Sequence, residues 1–167
     1  MNQRKRHRRF TRRAAFTMIE CLLGLAISAL LLTAVAVAFN ASLVNYRENE
    51  RMYETVNSAR QALTRITTQL RTADAVNPAS PANECSFITA EGWDITYEFR
   101  AADNALYLRL DDGTEYVLCN NVTAASFTRT LTDDGLACKS VQISLSVEDG
   151  DYERTLSAAA VIRKNLQ

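Results

Sequence analysis

An apolar run from residue 14 to residue 39 constrains this 167-residue chain more than any other feature. One carboxylate, Glu20, lies just inside its N-terminal edge, and no further charge occurs until Arg47. At about 1.5 Å per helical residue, a run of this length crosses a hydrocarbon core of about 30 Å. Arg4, Lys5, Arg6, Arg8, Arg9, Arg12 and Arg13 crowd the leading flank, whereas Arg47, Glu48, Glu50 and Arg51 nearly balance on the trailing one. That asymmetry predicts an N terminus held in the cytoplasm and the remainder of the chain outside it. A carboxylate inside a membrane helix is costly and marks a partner or a function, so Glu20 calls for a positive charge brought by another chain.

The formal net charge of zero conceals the same asymmetry. Residues 1–15 hold seven of the nineteen basic residues and no acid, so the remainder carries twelve basic against nineteen acidic side chains, a net charge of −7. A chain with that balance is not expected to bind nucleic acid, and a basic segment directly before an apolar span has a topogenic role. The letters allow two processing outcomes. A secretory cut after Ala36-Val37-Ala38, an A-x-A site, releases a domain beginning at Phe39. Against it, the apolar region is longer than a signal core of about 7 to 15 residues and contains a carboxylate. The other cut falls before the apolar run, between Ala15 and Phe16.

Beyond residue 40 the pattern becomes amphipathic. Met52, Val56, Ala59, Leu63, Ile66, Leu70 and Ala73 recur at steps of four and three, drawing one apolar stripe along a helix expected to continue from the span to residue 76. Neither proline nor glycine interrupts residues 25–76, and Asn77-Pro78 with Pro81 ends the helix. After Pro81 the period changes to two: Ile95, Tyr97 and Phe99; Leu106, Leu108 and Leu110; Val141, Ile143, Leu145 and Val147. Asp111-Asp112-Gly113, Asp133-Asp134-Gly135 and Glu148-Asp149-Gly150 supply turns. These patterns predict an α+β chain: a leader over 1–15, a transmembrane helix over 16–39, an amphipathic continuation over 40–76, and a domain over 77–167. That last domain is expected to form one antiparallel sheet of six or seven strands covered by the helix stripe.

No catalytic, cofactor-binding or metal-ligating set is expected. The sole histidine, His7, lies in the leader, which leaves the mature chain no imidazole for a Ser or Cys nucleophile or for a metal. The acidic turns invite structural calcium, but none matches an EF-hand loop and Asp-Gly is an ordinary hairpin turn. Asn121-Val122-Thr123 is a formal glycosylation sequon attributed here to strand composition, and Trp93 is expected in the core or at a sheet edge. Of the four cysteines, Cys21 sits in the span, and Cys85, Cys119 and Cys138 follow it. An oxidising compartment permits one bridge among these three, and no CxxC spacing occurs. Sequence leaves three pairings open, with Cys85 to Cys119 preferred because Cys138 begins a different hairpin.

The short basic leader, a small residue, and Phe16-Thr17-Met18-Ile19-Glu20 opening a long apolar helix together resemble the type IV pilin and type II secretion pseudopilin superfamily. The resemblance implies a pilin-like fold and a prepilin peptidase that cuts between Ala15 and Phe16, where the family usually has Gly before the cut, and then methylates the Phe16 amine. It also implies that Glu20 is the assembly residue, meeting the Phe16 amine of a neighbouring subunit. The amphipathic segment from Ser58 to Ala73, the sheet-rich domain and the late hairpin over Val141 to Asp151 are similar in layout to J-type minor pseudopilins and to minor type IV pilins. The partners so implied are the prepilin peptidase, other minor and major pseudopilins, an inner-membrane assembly platform and the lipid bilayer. The implied location is a single-pass inner-membrane protein with its C-terminal domain in the periplasm, assembled into a periplasmic or surface filament. The alternatives are a minor type IV pilin for adhesion, DNA uptake or motility, and a signal-anchored or secreted β-sheet binding domain.

Overall fold

A computed structural model describes residues 16–165. Helix α1 spans Met18–Thr72, 55 residues. Strands follow as β1 (Ala75–Val76), β2 (Glu84–Ile88), β3 (Asp94–Arg100), β4 (Ala105–Leu110), β5 (Glu115–Cys119), β6 (Val122–Leu131), β7 (Cys138–Asp149) and β8 (Tyr152–Val161), and a short 3-10 turn closes the order at Arg163–Asn165. The chain is α+β, with the later part of α1 packed on antiparallel sheet. It divides into two compact units, one ending at Val44 and one beginning at Asn45.

In the first unit, the described residues are helical from Met18 and exposed throughout. A helix that is apolar on every side needs an apolar surround, and none of the described residues covers this one. The segment is long and apolar enough to cross a membrane once.

The second unit has its own core. Met52, Thr55, Ala59, Ala62, Leu63, Ile66 and Leu70 are the buried residues of α1, so the stripe read at four-three spacing is the face that packs. Phe87, Tyr97, Leu106, Leu108, Phe127, Val141, Ile143 and Leu145 meet it from the sheets. On β7 the burial alternates with the pleat, and Val141, Ile143, Leu145 and Val147 are all buried. Thr96 is the exception on β3: it is buried although out of phase, and its hydroxyl lies 2.9 Å from that of Ser86 on β2.

Two expectations are corrected. The helix stops at Thr72, not at residue 76, because Ala75 and Val76 pair with Ile88 and Phe87 as an edge strand, and the Asp74 amide donates to the Ile88 carbonyl at 2.9 Å. In addition, the strands form two sheets in place of one, ordered β1-β2-β3-β4-β5 and β6-β7-β8. Asn121 makes the break: its φ of 60° turns the chain between β5 and β6, a conformation that asparagine tolerates better than most residues. The amide of Val122 then donates to the carbonyl of Asn104 at 2.8 Å, which fixes where the second sheet starts.

Candidate functional site: the N-terminal end of the apolar helix

Thr17 and Glu20 define the start of α1. The Thr17 amide donates to Glu20 Oε2 at 2.9 Å, the Thr17 hydroxyl donates to the same oxygen at 2.8 Å, and the Glu20 amide donates to Thr17 Oγ1 at 3.3 Å. This is a capping box: two amides that an α-helix leaves without intrahelical partners are satisfied reciprocally by side chains three residues apart. The Cys21 amide donates to the Thr17 carbonyl at 3.2 Å, closing the first turn. The Thr-x-x-Glu spacing carries this signal in the sequence, and Thr17 is the capping residue that the expectations above passed over.

Phe16, Met18 and Ile19 surround the box with side chains 81%, 81% and 72% exposed. Glu20 is therefore held by its own helix start inside an apolar collar, with its second carboxylate oxygen available to a further donor. Ala15, the residue before the expected cut, and the basic leader lie outside the described residues.

The other sequence-singled residues fall elsewhere. Trp93 is exposed at the start of β3, not in the core, and borders a groove of about 420 Å³ with Arg65, Gln69, Ile95 and Leu110. Asp112 and Asp134 turn onto their own loops, Asp112 accepting the Thr114 amide at 2.8 Å and Asp134 accepting first the Thr132 hydroxyl and then the Leu136 amide at 3.2 Å, which holds both carboxyls below their usual range. Among the described residues no three His, Cys, Asp or Glu side chains cluster as a metal site.

Cys85 and Cys119 are both buried, and the expected bridge between them is not formed. They belong to β2 and β5 of one sheet, with β3 and β4 between. Three inter-strand steps of about 4.8 Å separate them by roughly 14 Å, twice the Cα separation that a disulfide spans.

Neither a protein-family model nor a curated relative matches this sequence.

Proposed function

We propose that this chain is a filament subunit of the pseudopilin and type IV pilin class, in the minor-subunit position of a type II secretion pseudopilus, and not an enzyme. In this reading the basic leader orients the chain with its N terminus in the cytoplasm. A prepilin peptidase cuts between Ala15 and Phe16 and methylates the new amine. The apolar helix then passes from the bilayer into a bundle of like helices contributed by minor and major subunits, while the sheet domain stays in the periplasm.

One observation carries the reading: a helix apolar on all faces, left exposed by the described residues, begins with a carboxylate four residues after Phe16. In low dielectric a cation and an anion attract far more strongly than in water, and either alone is costly. Axially staggered subunits bring the Phe16 amine of one chain toward Glu20 of the next, so the charge pair selects the correct register. Glu20 exchanges part of its capping-box bonding for that amine.

The capping box favours a second reading. Because Thr17 already satisfies one Glu20 oxygen, the carboxylate has a local role in a simple signal-anchored domain that never polymerises. The mass of the protein extracted from membranes separates the readings. A methylated Phe16 terminus supports the filament subunit, an intact leader supports the anchor, and Phe39 at the terminus supports a secreted domain.

A further inference from the structure

The three-stranded sheet has one covered edge and one open edge. At β6 the chain entering β2 lies along the strand: the Phe127 amide donates to the Ala82 carbonyl at 2.7 Å, and Arg129 donates to the Ser80 carbonyl at 2.8 Å and to the Pro81 carbonyl at 3.2 Å. At β8 nothing among the described residues takes that place. The Ile162 amide donates to the Lys139 carbonyl at 3.1 Å, so every second residue from Ile162 back to Tyr152 turns its backbone toward β7. The residues between them, Glu153, Thr155, Ser157, Ala159 and Val161, turn theirs away from it. Sheet edges are ordinarily blunted by proline, lysine, a bulge or shortness. Here ten residues pair with β7 without a register shift, and residues 155–161 contain no charge, proline or glycine.

The sheet also stops short of the helix it covers. Arg154, Leu156 and Ala158 stand on the face of β8 that is continuous with the buried Val147, Leu145 and Ile143 of β7. Beyond them a groove of about 620 Å³ runs between β8 and α1, with Val56, Arg60 and Leu63 forming its helical wall. Arg60 and Arg154 both line the groove and no carboxylate does. Neither guanidinium forms an ion pair among the described residues. The groove is thus cationic in a chain whose residues 16–167 carry twelve basic against nineteen acidic side chains.

We propose that the free edge of β8 accepts an extended, acidic segment of another polypeptide as a fourth strand, seated in the groove over α1. Main-chain hydrogen bonds to the outward-facing residues of β8 supply the pairing, and alternate side chains of the added strand supply the selectivity. Its groove-facing side chains are a carboxylate beside Arg60 and Arg154 and, two residues along, an apolar group beside Leu156, Val56 and Leu63. A second copy of β8 does not meet this requirement. Paired edge to edge, it turns Arg154 and no carboxylate toward the groove, which adds like charge to like. The edge is open whether or not the apolar helix enters a filament.

The probe is a synthetic peptide, acetyl-Thr-Glu-Thr-Val-Thr-Val-Thr-amide, added to the full chain in detergent, with amide exchange read residue by residue. Exchange is expected to slow at least about tenfold at Thr155, Ser157 and Ala159, while Leu156 and Ala158, already bonded to β7, change little. A peptide with Lys in place of Glu, or one N-methylated throughout, is expected to need at least about tenfold higher concentration for the same protection. Arg60→Glu combined with Arg154→Glu changes two exposed side chains and is expected to reverse the preference between the Glu and Lys peptides. No alternate-residue slowing at peptide concentrations up to about 1 mM, or a preference that the double charge reversal leaves unchanged, overturns the proposal. Slowing of the same three amides in the chain alone, growing with its concentration, assigns the edge to a second copy and overturns the choice of partner.

Discussion

Thr17 and Glu20 satisfy one another at the first turn of α1, the hydroxyl and amide of one converging on a single carboxylate oxygen of the other at 2.8 and 2.9 Å. The contact separates two jobs that one carboxylate can do. Capping needs an acceptor at Glu20 and a hydroxyl at Thr17, whereas pairing with an amine needs negative charge. Glutamine serves in a capping box as glutamate does, but carries no charge.

The capping role predicts local effects. Thr17→Ala removes the hydroxyl that accepts the Glu20 amide and is expected to speed amide exchange at Glu20 several-fold in micelles. Glu20→Gln is expected to leave that exchange nearly unchanged. Equal exchange in wild type and Thr17→Ala contradicts the cap.

Tyr97 ties β3 to α1. Its hydroxyl, on a fully buried residue, donates to Gln69 Oε1. Burial pushes the Tyr97 hydroxyl up to about 12, with Arg65 beside it pulling the other way. The folded value lies above the unfolded one near 10, so the contribution to stability is complete below pH 10 and is lost as pH rises from there to about 12. Urea unfolding at pH 8 and pH 11 is expected to show that loss in wild type and a smaller one in Tyr97→Phe. At pH 8 the variant is expected to lose about 1 to 2 kcal/mol, from the missing bond and the unpaired Gln69 oxygen.

The two parts of α1 predict opposite responses to truncation. Ile66 is fully buried under the sheets, and Ile66→Ala is expected to cost about 3 kcal/mol of the second unit's stability. Leu31 is 62% exposed, and Leu31→Ala is expected to leave the melting of that unit unchanged. Calorimetry of both variants in detergent checks the contrast.

Much of this arrangement was legible before the fold was known. The four-three spacing from Met52 to Ala73 marked the packed face of α1, because a helix must bury a stripe. The alternation from Val141 to Val147 marked the buried face of β7 in the same way. What escaped depends on contacts that no local pattern encodes. Ala75 and Val76 read as the tail of a helix and became a strand because Phe87 and Ile88 offered an edge. Asn121 read as the first residue of a formal sequon within strand composition, and its left-handed backbone divided one expected sheet into two. The order of β2 to β5 kept Cys85 from Cys119, and hairpin adjacency in the sequence could not reveal that distance. Thr17 was different, since its spacing from Glu20 was legible and was passed over.

The central claim is that Glu20 acts through its charge on a neighbouring subunit. Wild type and Glu20→Gln, each with its own tag and expressed together at equal levels, are to be compared in filaments sheared from cells and pelleted, with membrane insertion measured in parallel. The charge pair predicts equal insertion and at least about tenfold poorer incorporation of Glu20→Gln, as the loss of one low-dielectric ion pair implies. Equal incorporation of the two forms would contradict it and leave Glu20 as a helix cap alone.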